Sequence, residues 1–168
     1  MGLFDFIKGK KGGSKEPADQ LALLGADESR DAEFVDLLSK SSIWLLGNEE
    51  ELKVESPSEN QVLDHIKHGM EETAKAAPLE EIKFYTYPLD QYSVLPFFSS
   101  QDFIGKYIEN GKFEKVVRFQ GLQMHSSILL REDLLNLPAV MNPNSQFTRL
   151  ITADDKIALA KSLSAQQK

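Results

Sequence analysis

The chain has 168 residues, of which 41% are hydrophobic and 27% charged; its formal net charge is −7 and it contains no cysteine. That length suits one domain with its own core plus a tail, and the missing thiols exclude disulfides and thiolate metal sites. No apolar run approaches the roughly 20 residues of a membrane span, and lysines that follow the first apolar residues, not precede them, are the wrong order for a signal peptide.

MGLFDFIKGKKGGSKEP opens the chain. On a helical wheel Leu3, Phe6 and Ile7 gather with Phe4 alongside, and Lys8 lies apart. Residues 8–17 have the Gly, Ser, Lys and Pro composition of a linker. Residues 1–17 are therefore expected to be a flexible segment with a short amphipathic stretch, residues 18–164 the folded domain and residues 165–168 a disordered tail. Charge is split along the same line. Residues 1–16 set Lys8, Lys10, Lys11 and Lys15 against Asp5 and Glu16, a net +2, so the other 152 residues carry −9. An acidic body repels nucleic-acid phosphates and attracts a basic protein surface.

Residues 18–24 read as a short helical run. Asp31 is placed to cap a helix that carries Phe34, Val35, Leu37 and Leu38. SSIWLL (41–46) reads as a first strand, with Gly47-Asn48 turning the chain. Residues 48–60 are acidic, broken by Pro57, and expected as loop. Val62, Leu63, Ile66 and Met70 form one stripe of a helix over 59–76, ended by Pro78. Two β-rich runs, 82–87 and 92–98, form a hairpin around Pro88-Leu89-Asp90. Ser99 or Ser100 caps the helix QDFIGKYIENG, with Phe103, Tyr107 and Ile108 inward and Gly111 at its end. KVVRFQ (115–120) is a strand, SSILL (126–130) is ambiguous, and 131–137 is a short helix stopped by Pro138. Residues 139–141 are a short strand followed by the turn Asn142-Pro143-Asn144. Residues 147–151 are a last strand, and Thr152 with Asp155 forms a capping box that opens a helix over 153–164. Strands and helices mix without alternating, so the fold class is α+β, a single mixed or antiparallel sheet flanked by helices.

Chemistry-bearing residues are sparse. His65, His68 and Glu72, with Asp64 beside them, share a helix face at spacings of three and four, a geometry open to a metal ion. Gly69 interrupts the group and only His125 remains elsewhere, so a solvated face is the expectation. His125, Ser126 and Ser127 lack the Gly-x-Ser-x-Gly elbow, and adjacent side chains diverge. Glu49-Glu50-Glu51 and Asp154-Asp155 are consecutive charges, which marks exposed positions or helix starts. KFEKVVRF (112–119) interleaves bases with aromatics, but inside an acidic body it reads as a sheet strand. No catalytic residue, metal or cofactor is expected, and nucleic acid is excluded as a partner. Alternation sends Phe84 one way and Tyr85 and Tyr87 the other. With Tyr92 these tyrosines form a candidate docking face, since Tyr is enriched at interfaces.

Three stretches of the second half resemble a bacterial family. LPFFSSQDF (95–103) is similar to the "LPVFTS" segment of the SseB N-terminal domain, VMNPNS (140–145) to its "LNPGS" turn, and FTRLITADDKIALA (147–160) to its closing strand and helix. The order and spacing match over roughly residues 32–164. Asn144 stands where the family has Gly, so this turn is expected to hold an Asn in the left-handed conformation. The resemblance implies a small adaptor or partner-binding domain and brings no catalytic residue with it.

The functional expectation is a non-catalytic cytoplasmic domain of SseB type that binds another protein. Its sharper form is an immunity protein that holds a basic toxin or effector by charge complementarity. The alternative is a peripheral factor at the inner membrane. Leu3, Phe4, Phe6 and Ile7 would give weak, reversible contact, since burial at about 1.5–3 kcal/mol per side chain only offsets the ordering of the segment, and Lys8 would add about 1 kcal/mol at an anionic surface. A metal-dependent enzyme using His125 or the His65/His68 face is the third expectation.

Overall fold

Short, nearly continuous apolar runs build the six strands of the described residues: β1 (Ser42–Glu51), β2 (Tyr87–Leu89), β3 (Tyr92–Phe98), β4 (Val117–His125), β5 (Ala139–Met141) and β6 (Arg149–Ile151). The structure, a computed structural model, describes residues 19–51, 82–110 and 117–167. The expected helix over 59–76, with Asp64, His65, His68 and Glu72, lies outside them, as do residues 1–18, Pro57, Gly69 and Gly111. The described helices are α1 (Gln20–Gly25), α2 (Asp31–Leu38), α3 (Gln101–Asn110), α4 (Glu132–Leu135) and α5 (Ala153–Gln166), with 3-10 turns at Glu28–Arg30 and Ser126–Leu130. The sheet order is β4-β1-β3-β5-β6, with β2 paired to β3. β3 and β5 run parallel and the other pairs are antiparallel. This is the α+β architecture with a mixed sheet and flanking helices that the sequence implies.

The two-residue period of a strand divides the sheet into two apolar faces. Ile43, Leu45, Leu95, Phe97, Ala139, Met141 and Ile151 point to one side and meet Leu21 and Leu24 of α1, Phe34 and Leu38 of α2 and Leu159 of α5. Leu46 and Phe98, with Trp44, point the other way onto Phe103, Ile104 and Tyr107 of α3. Leu89, Val94 and Val140, joined by Tyr87 and Leu150, form a smaller cluster at the hairpin. Each large side chain removed from water in this way stabilises the fold by about 1.5–3 kcal/mol.

Several local expectations are corrected by long-range partners. Gly47-Asn48 does not turn the chain: β1 continues to Glu51 along β4, with its register shifting between Gly47 and Glu50. Phe84 bridges Gly47, and the Tyr85 N–H donates to the Leu46 carbonyl at 2.8 Å. A Cβ at Gly47 would lie 2.7 Å from Leu122 Cδ1 and 3.3 Å from the Lys83 carbonyl oxygen, so the glycine serves close approach of two segments. Asp31 is not the cap of α2; it is already helical, at φ −55° and ψ −42°, because Asp27 starts a 3-10 turn that feeds into the helix. The hairpin loop is shorter than expected. Leu89 pairs with Tyr92, leaving Asp90 and Gln91, and Asp90 takes φ 53°, which an aspartate tolerates. β4 runs past residue 120 to His125, and SSILL is a 3-10 turn that buries Leu129. The last strand begins at Arg149, since Phe147 turns to meet the Phe103 ring edge-on at 5.9 Å.

Other punctuation reads directly. Asn144 has φ 64°, as expected, and Asn142 joins it at φ 45°. Buried Asn142 accepts the Ser99 N–H and donates to Ser99 Oγ, both at 2.9 Å, locking the end of β3 to the turn after β5. Thr152 and Asp155 form the reciprocal capping box of α5.

Candidate functional site

The site starts from a charged residue inside the core. Arg149 shares its side of β6 with Ile151, so the strand period sends it inward, and it is 9% exposed. Its guanidinium donates to Asp31 Oδ1 at 2.8 Å and to Asp155 Oδ1 at 3.2 Å. It also lies over the Phe34 ring, 4.1 Å from the centroid. One side chain therefore ties β6 to the first turns of α2 and α5, and its Nε has no hydrogen-bond partner among the described residues.

The two helices so fixed leave a groove of about 400 Å³ between them. Its floor is small and apolar: Ala32 and Val35 from α2 and Ala158 from α5. Its rim carries four aspartates, Asp31 and Asp36 from α2 and Asp154 and Asp155 from α5. Asp31 and Asp36 are each about 60% exposed, and Asp36 accepts from Lys40 Nζ at 2.8 Å. Asp155 is 14% exposed and also accepts the Thr152 N–H and hydroxyl. Among the described residues, Arg149 and Lys40 leave two of the four negative charges uncompensated. Negative charge above a short apolar floor suits a lysine or arginine, whose stem is apolar and whose head is cationic.

The three tyrosines divide among different surroundings. Tyr85 packs with the cluster of Leu46, Phe98 and Tyr107. Tyr87 packs on the hairpin cluster, where burial, with the neighbouring Tyr85 adding to it, pushes its phenol up to about 12. Tyr107 is raised further, by burial first and then by Tyr85. Tyr92 is 50% exposed, and its hydroxyl accepts from Gln91 Nε2 at 3.1 Å. Of the expected docking trio, Tyr92 is thus the one that chiefly faces water. Leu3, Phe4, Phe6, Ile7 and Lys8 lie outside the described residues.

His125 and Ser126 diverge, as adjacency implies. Ser126 Oγ donates to the Leu38 carbonyl. His125 meets Ser127 instead: Nδ1 accepts the Ser127 N–H at 3.2 Å and sits 3.0 Å from Ser127 Oγ, capping the 3-10 turn. Among the described residues, no group of three or more histidines and carboxylates is placed to hold a metal ion, and no helix is long and apolar enough to cross a membrane.

Sequence reading missed two buried cations. One is Arg149. The other is Lys156, whose Nζ donates to the carbonyls of Leu134, Leu135 and Leu137 at 2.7–3.0 Å and so closes the end of α4. Burial lowers its ammonium below the ordinary lysine value. Both were marked by periodicity, since Lys156 stands three residues before buried Leu159 on one helix face. No family model, curated protein or solved structure matches this chain.

Proposed function

We propose that this chain is a non-catalytic protein-binding domain, of the SseB type its motifs resemble, and that it holds a basic partner on the acidic face of α2 and α5. The observation that carries this reading is the convergence of Asp31, Asp36, Asp154 and Asp155 around one apolar-floored groove. That convergence gives the −9 body a defined place to use its charge. A patch of this kind steers a cationic surface toward it and then accepts single basic side chains. In its sharper form the protein is an immunity factor and the partner a basic secreted toxin. Exposed Tyr92 supplies a second contact on the hairpin.

Affinity capture with the full chain from cells of the native host, followed by identification and quantification of the bound proteins, tests the reading. The expected result is one basic protein at close to equal stoichiometry, released by salt because the Debye length shrinks to about 3 Å near 1 M. Recovery of no stoichiometric partner, or of an acidic one held through high salt, overturns it.

A further inference from the structure

We propose that the outward face of α5 is a homodimer seam, on which a second copy of this chain docks antiparallel. The helical period turns Leu159 into the core and Ile157 out to solvent, where it is 53% exposed. A lone exposed isoleucine is ordinary; this one has a counterpart one turn further along the same helix. Ala160, Lys161, Ser164 and Ala165 frame an open depression of about 370 Å³. Its lining is mostly apolar. Ser164 Oγ donates back to the Ala160 carbonyl at 2.9 Å, which turns the hydroxyl onto its own helix, and the two alanines and the lysine stem supply the walls. A knob and a hole on one face of one helix do not meet within a single molecule. They meet when a second copy presents the same face, as a twofold interface requires.

Charge selects the antiparallel sense. Asp154 and Lys161 flank the seam on the same side, two helical turns apart, and both are exposed. Among the described residues neither has an ion partner. A parallel, in-register pair sets aspartate against aspartate and lysine against lysine. With a twofold axis at Leu159 the helices run antiparallel, and Asp154 comes opposite the second copy's Ser164. At about 1.5 Å per residue it then lies about 4.5 Å along the helix from that copy's Lys161, within a lysine's reach. Ile157 comes opposite the same Lys161, and because a helical side chain leans toward its N-terminus it tips into the hole between Lys161 and Ser164. Opposed helix dipoles favour the same sense. One helix face per copy is less than the roughly 1,000 Å² that a stable interface clears, so the pair is transient, with a Kd on the order of 100 µM. Ile157, Ala160 and Ser164 do not line the groove between α2 and α5, so the seam is a separate surface that borders it at Asp154.

Sedimentation equilibrium of the full chain from about 10 µM to about 1 mM tests the proposal, a range that brackets the expected Kd. Expected is a monomer–dimer equilibrium that Ile157→Glu weakens at least about tenfold, with the far-UV circular dichroism unchanged because Ile157 is exposed. Asp154→Lys and Lys161→Asp should each weaken association at least about threefold, and the two together in one chain should restore it to within about twofold of wild type, because the antiparallel pairs are rebuilt with their signs exchanged. That rescue distinguishes a lost contact from a damaged fold. A chain that stays monomeric throughout, a dimer indifferent to Ile157→Glu, or a double variant no better than either single one overturns the proposal.

Discussion

Arg149→Met removes a charge that three elements share while keeping the length of the stem. The hydrogen bond to Asp31 is replaced by water at little cost, since that carboxylate is 61% exposed and exposed pairs contribute about 0.2–1 kcal/mol. The bond to Asp155 matters more, at 14% exposure; a charged hydrogen bond of this kind contributes about 1.5–3 kcal/mol. Stacking on Phe34, away from water, adds about 2 kcal/mol. Against these, methionine adds apolar burial and removes the unpartnered Nε, which offsets about 1–2 kcal/mol. The expected loss is about 2–4 kcal/mol, or a fall in Tm of about 5–15 °C for a chain of this size. Urea unfolding and calorimetry measure it. Arg149→Lys, which keeps the charge but not the fork or the stack, should fall between the two. A double-mutant cycle with Asp31→Asn should return a coupling below about 1 kcal/mol. Methionine at full wild-type stability, or lysine restoring all of the loss, would refute the reasoning.

Three further outcomes follow from single positions. Asn144→Ala should cost about 1–2 kcal/mol in urea unfolding because Asn144 sits at φ 64°, whereas Asn144→Gly should match or exceed wild type; equal effects would contradict the left-handed turn. Lys156→Met should destabilise by about 2–4 kcal/mol even though it removes a buried charge, because three carbonyls lose their donor; a stabilised variant would show that the ammonium is a net burden. Because burial raises the Tyr87 phenol to about 12, its contribution to stability is intact below pH 10 and lost as pH rises from 10 toward 12. Absorbance at 295 nm should therefore show Tyr87 and Tyr107 ionising late and together with unfolding, and complete ionisation of a still-folded chain near pH 10 would contradict their burial.

Signals that act over three or four residues were legible in the sequence. Pro138 and Asn142 bracket β5, and the spacing from Thr152 to Asp155 announces α5. What escaped was decided by partners far along the chain. Gly47 has the composition of a turn, but the crossing segment 82–85 uses its missing Cβ. Asp31 has the composition of a cap, but Arg149, 118 residues away, takes its carboxylate. Arg149 and Lys156 carry surface chemistry, yet their parity with Ile151 and Leu159 places them inside. The acidity of the candidate site was plain in the net charge, whereas the meeting of two aspartate pairs more than 100 residues apart depends on how α2 and α5 pack. The tyrosines show the converse. Composition grouped them, but Tyr85 lies in the irregular segment before β2, which starts only at Tyr87, and the two pack into separate clusters.

The account rests on the acidic face being what a partner reads. Asp36→Lys/Asp154→Lys tests it most directly, because both carboxylates are exposed and neither caps a helix nor holds Arg149. Measured by titration calorimetry against the captured partner, the variant should bind at least about tenfold more weakly, a loss of about 1.4 kcal/mol or more, and should lose most of the salt dependence seen with wild type. Unchanged affinity with unchanged salt dependence would contradict the account.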